Sequence, residues 1–196
     1  MRLLTVTVLT LCLPLLAACG GGADKPTHTD GAPPAAVPAG FKGYTGAGFS
    51  IAYPAGWTPA GEQADPHRLV ELRPPGEEAT RPLIGVALER TGQRTTLEAY
   101  AATFSVTQTM DIPGWRAVSE QAVDVPGAIE GRLLHAAYKL PGGATQVREL
   151  VLFARLPGGR VYVVRAGGEA SAFAHDEHQL RTAVDSFRPA KGGTSA

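Results

Sequence analysis

Residues 129–166 read IEGRLLHAAYKLPGGATQVRELVLFARLPGGRVYVVRA and decide the fold. Three apolar runs, over 129–140, 146–156 and 160–166, are joined by two copies of Leu-Pro-Gly-Gly. Short Pro/Gly turns between strand-like runs predict hairpins, so this segment predicts a meander of antiparallel strands. The stretch 150–154 is apolar on both faces, which predicts a central strand that is covered on both sides.

Earlier segments predict further strands. Phe49, Ile51 and Tyr53 alternate with small residues, the period-two pattern of a strand with one buried face. Short apolar runs over 69–72 and 83–88 predict two more strands, and 115–125 alternates only weakly.

Two segments have helical periodicity. In the first, Thr95 and Glu98 predict a capping box, and an apolar stripe follows at i, i+3, i+4 and i+7, formed by Leu97, Tyr100, Ala101 and Phe104. The second helix is predicted over 172–187, with Asp176 and Glu177 near its start, where negative charge suits the helix dipole. Its shared apolar face comprises Phe173, Leu180, Val184 and Phe187.

These elements predict an α+β fold, an antiparallel β-sheet flanked by helices. The helices lie either one on each face of the sheet or both on one face. Residues 41–189, roughly 150 in number, suffice for one domain with a full core. Residues 190–196 are predicted to form a disordered tail.

The N-terminus predicts secretion and a lipid anchor. Arg2, an apolar run over 3–16 and small residues before Cys19 describe a secretory signal over 1–18. The run is shorter than the roughly 20 apolar residues of a membrane-spanning helix. Leu16-Ala17-Ala18-Cys19 resembles the bacterial lipobox, which implies diacylglycerol on Cys19 and cleavage before it. An ordinary signal peptide with a chance cysteine is the alternative.

The anchor predicts membrane lipid as a partner, because two acyl chains hold a protein stably at a bilayer. Residues 19–40 are the lipidated cysteine and a Gly/Ala/Pro tether with almost no large apolar side chains to bury. The predicted location is the extracytoplasmic side of the cell membrane.

Composition excludes several classes of function. The chain carries 18 basic and 18 acidic residues, so nucleic acid is not an expected partner. Its two cysteines, Cys12 and Cys19, lie in the signal and at the anchor. The domain therefore has neither a disulfide nor a thiol nucleophile.

Two segments carry a family resemblance. Residues 48–57, GFSIAYPAGW, look like the opening strand of the PsbP-like superfamily and of actinobacterial LpqN-type lipoproteins, and 185–188, DSFR, look like the end of their last helix. The order of elements between them also matches. The resemblance implies a PsbP-like α/β/α sandwich and a membrane-associated accessory or binding role, without shared catalytic residues.

Trp57 and Trp115 are the candidate ligand-binding residues. Each follows a turn with Pro or Gly, where a tryptophan can line a pocket or stack on a sugar ring. Tryptophan at such a position more often caps a core, and we favour that interpretation.

His175 and His178 are the weak candidates for metal ligands. At i and i+3 they can reach one ion, but zinc needs a third or fourth ligand, such as His67 or His135. We therefore expect neither a metal nor another cofactor. His135 lies in an apolar run and is expected to be partly buried.

No catalytic set is recognised. Ser50 lies within an alternating strand, whereas a nucleophile elbow needs a sharp strand-to-helix turn. The leading hypothesis is a non-catalytic binding or accessory module that meets an unknown envelope protein or small ligand. The alternative is a carrier or sensor of a small apolar or envelope-derived ligand held between sheet and helix. A hydrolase or metal-dependent enzyme ranks third. A large apolar cavity would favour the carrier, and a solid core with an exposed apolar patch would favour the partner-binding module.

Overall fold

The structure, a computed structural model, describes residues 37–46, 48–60, 67–76, 82–140, 142–143 and 145–190. Within them ten strands and two helices follow one another along the chain. Their bounds are β1 Phe41–Gly46, β2 Phe49–Pro54, β3 Thr58–Ala60, β4 Arg68–Arg73, β5 Leu83–Arg90, α1 Leu97–Asp111, β6 Arg116–Ala122, β7 Glu130–Lys139, β8 Gln146–Leu156, β9 Arg160–Glu169, α2 Ala170–Asp185 and β10 Arg188–Pro189.

The strands form two antiparallel sheets. The larger sheet has the order β3-β4-β5-β9-β8-β7-β6, and the smaller has the order β1-β2-β10. The predicted meander is present as β7-β8-β9, with neighbouring strands paired in sequence. The antiparallel α+β prediction is thus confirmed, while the placement of residues 49–54 in a separate small sheet was not predicted.

The two helices lie on opposite faces of the large sheet, the first of the two predicted arrangements. The sheet has one core on each face, and alternate residues of β8 belong to different cores, because successive side chains of a strand point to opposite faces. Val151 and Phe153 pack with α1, and Leu150 and Leu152 pack with α2 and the small sheet. The prediction of a strand covered on both sides is therefore correct.

Helix α1 begins one residue later than the predicted capping box requires. Thr96, not Thr95, is the N-cap, and its side chain accepts a hydrogen bond from the Ala99 N–H at 3.2 Å. Glu98 is then the second helical residue and cannot close the box. A carboxylate from β7 bonds to the first turn of the helix instead. Glu130 Oε2 accepts a hydrogen bond from the Leu97 N–H at 3.1 Å.

Helix α2 begins at Ala170, two residues before the predicted start. Asp176 and Glu177 therefore lie in its second turn, too far along for the predicted dipole interaction. The end of α2 is tied to β2 by Ser186, whose hydroxyl accepts from the Ala52 N–H at 2.7 Å and donates to the Ala183 carbonyl at 2.6 Å.

The folded region extends slightly beyond both predicted boundaries. The Gly40 carbonyl, assigned to the tether, accepts from the Ala55 N–H at 2.9 Å. Ala190, assigned to the tail, is buried and donates its N–H to the Gly48 carbonyl at 2.8 Å.

Candidate functional site

A groove opens on the α1 face of the large sheet, because α1 covers only half of that face. The helix packs on β6, β7 and β8, and the α1-side core also buries Val161 and Val163 at the start of β9. The groove lies beside the helix, over β4, β5 and the rest of β9. The resulting groove has a volume of about 800 Å³ and lies between helix and sheet. That volume falls within the range of roughly 300–1,000 Å³ typical of small-molecule sites.

Small side chains make the floor of the groove. Gly85 and Ala87 of β5 and Gly167 of β9 line it together with Val163. At Gly85, an added Cβ would meet only Leu83 Cδ1, at 3.9 Å, which is ordinary van der Waals contact. The open space above Gly85 is therefore a consequence of its missing side chain.

Two charged side chains flank Gly85 in one row across the sheet. Gly85 pairs with Glu71 of β4 on one side and with Arg165 of β9 on the other. Glu71 is only 2% exposed, and its two carboxylate oxygens form ion pairs with Arg68 and Arg73. Burial of a carboxylate is tolerated when its oxygens are bonded to cations in this way.

Arg165 is held by a second buried carboxylate. Its Nε and Nη2 donate to Glu149 of β8 at 3.1 and 2.8 Å, and Glu149 is 5% exposed. The guanidinium also lies 5.8 Å from the centre of the Phe104 ring, within cation–π range. Arg165 is thereby fixed in orientation beside the groove floor.

Both buried carboxylates use their two oxygens, whereas the arginines keep unused donors. Arg165 Nη1 and the Nε and Nη2 of Arg68 take part in none of these bonds with the described residues. Among Glu71, Glu149, Arg68 and Arg165, unused hydrogen-bond donors therefore outnumber unused acceptors.

The helix wall adds aromatic surface. The Tyr100 hydroxyl donates to Glu89 at 2.5 Å. Burial, followed by the bond to Glu89, raises the pKa of Tyr100 well above its ordinary value of 10.0, so the hydroxyl stays protonated. Burial likewise raises the pKa of Tyr138, which also lines the groove.

Two acidic side chains that form no ion pair with another described residue lie toward the ends of the groove, Glu89 bonded to Tyr100 and Glu169 to Ser171. Glu89 is four residues along β5 from Gly85, and Glu169 is four residues along β9 from Arg165. Each therefore lies about 14 Å from the middle at about 3.4 Å per residue. An anion in the middle would be largely screened from them, since the Debye length is about 8 Å at physiological ionic strength.

The two tryptophans predicted as candidates do not line this groove. Trp57 is 7% exposed and lies in the core between the large sheet and α2, and Trp115 is 5% exposed in the α1-side core. The structure thus places both in cores. Cys19 lies outside the described residues.

The histidine candidates are also separate from the groove. His175 is 87% exposed and lies 3.8 Å from the Asp176 carboxylate, while His178 is exposed on α2. His135 is half-buried on the α2 side of β7, where burial lowers its pKa. Among the described residues no group of three or more His, Cys, Asp or Glu side chains is placed to hold a metal ion.

Both buried carboxylates of the groove are bonded to arginines, Glu71 to Arg68 and Arg73 and Glu149 to Arg165. Three strand spacings and two residues separate them, so their Cα atoms are roughly 16 Å apart. The buried Ser50 lies in β2, within the small sheet and outside the lining of the groove.

No protein-family model matches this sequence, and no curated protein matches it by sequence. Solved structures match in fold. The cyanobacterial PsbP protein CyanoP of Synechocystis sp. PCC 6803 has a TM-score of 0.59 at 16% identity over 78% of this chain and 94% of its own. LpqN of Mycobacterium tuberculosis, described as involved in cell envelope biogenesis, has 0.55 at 14% over 81% and 90%. The Ran-binding protein Mog1p of Saccharomyces cerevisiae has 0.54 at 19% over 75% and 94%.

These similarities show the fold, an antiparallel α+β fold of the PsbP and Mog1 type. The resemblance in 48–57 and 185–188 implied the PsbP-like part of this result, and the similarity to Mog1p was not predicted. Identities this low establish no shared ligand. Neither α1 nor α2 has the length and apolar composition of a bilayer-crossing helix, and the described residues contain no other helix.

Proposed function

We propose that this chain is a lipid-anchored extracytoplasmic lipoprotein that acts as a non-catalytic binding or accessory module in the cell envelope. The single observation that carries the binding role is the groove beside α1, with its open floor at Gly85. The lipobox at Cys19 supports the location, and the envelope role stated for LpqN, a protein of the same fold, is consistent with it.

The carrier or sensor alternative gains support from the same groove. Its volume of about 800 Å³ and its position between helix and sheet suit a small ligand. The groove is partly open to solvent and contains arginines, so it is not the enclosed apolar cavity expected for a wholly apolar cargo.

A partner-docking role is favoured by exposed apolar side chains at α1 and β6. Val106 and Met110, at i and i+4 of α1, are 61% and 81% exposed, and Val118 of β6 is 59% exposed. Single exposed apolar residues are common on proteins, so this observation is weaker than the groove.

Crosslinking pull-down from intact membranes with a groove-filling variant tests the proposal. Gly85→Leu places an isobutyl group in the groove with little strain, because its Cβ has room. Gly56→Leu is the matched control, since an added Cβ there meets nothing within 4 Å and the residue lies outside the groove. We expect envelope components captured by the wild type and by Gly56→Leu to be lost from Gly85→Leu. Equal capture by all three proteins would contradict a role for the groove.

A further inference from the structure

We infer that the groove binds an amphiphile with an oxyanion head and an apolar body, with the head at Arg165 and Arg68. This inference rests on the proposed function, because it names the ligand class of the same groove. The head chemistry is that of a carboxylate or a phosphate monoester, whether free or part of a lipid.

The unused hydrogen-bond donors of the two arginines indicate the chemistry of the ligand's head. Glu71 and Glu149 are 2% and 5% exposed, whereas the side chains of Arg68 and Arg165 are 42% and 34% exposed. Among these four side chains, the polar atoms that face solvent are thus guanidinium N–H groups. Guanidinium groups bind carboxylate and phosphate oxygens with charge-assisted, often bidentate hydrogen bonds.

Net charge in the middle of the groove supports the same head. Glu71 is paired with two arginines, Arg68 and Arg73, which leaves one positive charge on this wall. The pair of Arg165 and Glu149 is neutral, and its arginine retains Nη1 for a ligand. Glu89 and Glu169 disfavour an anion at either end, so the head belongs in the middle.

The residues that line the groove on one side of the head position indicate where the ligand's apolar body lies. From Arg165 toward the C-terminal end of β9 the groove is lined by Gly167 and then by Leu83, Leu140, Val147 and Ile112. This stretch is about 14 Å long at the rise of an antiparallel strand. Glu149, bonded to Arg165, lies beside Gly167 at its start, and Glu169 lies beside Val147 at its far end. Between them the apolar side chains offer contact that suits an alkyl or aryl body.

Titration calorimetry with single-chain probes tests the inference. The protein is the mature chain, residues 19–196, with Cys19→Ala so that no detergent is needed. Dodecanoate and dodecyl phosphate carry the two oxyanion heads, and their relative affinity distinguishes carboxylate lipids from phosphate lipids. Acetate and inorganic phosphate supply the head without the body, and dodecyltrimethylammonium supplies the body with the opposite charge.

We expect one of the two anionic dodecyl probes to bind in a 1:1 ratio. Acetate, inorganic phosphate and dodecyltrimethylammonium should each bind at least tenfold more weakly, about the effect of one charge-assisted hydrogen bond. Gly85→Leu is expected to weaken this binding by at least about tenfold, as filling a pocket does. Arg68→Gln leaves Glu71 paired with Arg73 and is expected to weaken it about tenfold. Gly56→Leu and Arg132→Gln, which removes a charge paired with Glu120 outside the groove, are the matched controls and should bind as the wild type does.

Equally tight binding of the cationic probe, or binding that Gly85→Leu leaves unchanged, would overturn the inference. The outcome is separable from that of the proposed function. If no anionic amphiphile binds while Gly85→Leu still loses its envelope components in the pull-down, the ligand class is wrong and the groove remains the binding site.

Discussion

Arg165 and Glu149 form a bidentate ion pair at the floor of the groove, with Nη2 to Oε1 at 2.8 Å and Nε to Oε2 at 3.1 Å. The two residues lie on adjacent strands, β9 and β8, and on the same face of the sheet as the buried Val151, Phe153 and Val163. The ion pair therefore contributes both to the stability of the central strands and to the charge distribution in the groove.

Removing one partner of this pair should destabilise the protein more than removing both. Arg165→Gln leaves the Glu149 carboxylate buried and unpaired, which should cost about 2–3 kcal/mol, less than the 3–5 of a fully buried pair because Arg165 is one-third exposed. The double variant Arg165→Gln with Glu149→Gln should recover most of the loss. Urea denaturation checks this, and a double variant no more stable than the single one would contradict the account.

Tyr100 should make the protein less stable at alkaline pH. Its pKa is raised in the folded state, chiefly by burial. The unfolded chain therefore loses this proton near pH 10 while the folded chain keeps it, so the free energy of unfolding falls as pH rises above about 10. Tyr100→Phe should have a shallower decline, by up to about 1.4 kcal/mol per pH unit. The measurement is urea denaturation between pH 8.5 and pH 11.5, and identical slopes for the two proteins would refute this role of Tyr100.

Cys19 should determine where the protein is found. Cys19→Ala is expected to abolish incorporation of labelled palmitate and to release the protein from the membrane fraction, because two acyl chains would be lost. Cys12→Ala, within the predicted signal, is the matched control and should remain lipidated. A Cys19→Ala protein that stays in the membrane fraction would show that another feature holds it there.

The histidines of α2 should bind no structural metal. His175 and His178 supply at most two ligands, and three or four are usual for zinc. The double variant His175→Ala with His178→Ala should therefore unfold at the wild-type temperature, and a chelator should leave both proteins unchanged. Elemental analysis that finds one metal ion per wild-type chain and none in the double variant would reverse this conclusion.

The meander could be predicted from local sequence because each hairpin has its own turn signal, as in the repeated Leu-Pro-Gly-Gly. The groove could not be predicted in this way. Its central row, Glu71, Gly85 and Arg165, comes from three distant segments that meet only through the order β4-β5-β9 and its register. In the sequence, the groove is indicated only by single residues, Gly85 and Arg165, that lie within apolar runs. Trp57 and Trp115 were the predicted candidates for ligand binding, yet their large apolar surfaces place them in cores.

Photo-crosslinking in intact cells tests the central claim most directly. A photoreactive amino acid replaces Thr107 on the groove wall of α1, and in a second protein it replaces His178, exposed on α2 across the large sheet. The account predicts a defined crosslinked envelope component from position 107, absent from position 178 and lost when Gly85→Leu is added. Crosslinks to the same component from position 178 alone, or from position 107 regardless of Gly85→Leu, would contradict the claim that this groove is the binding site.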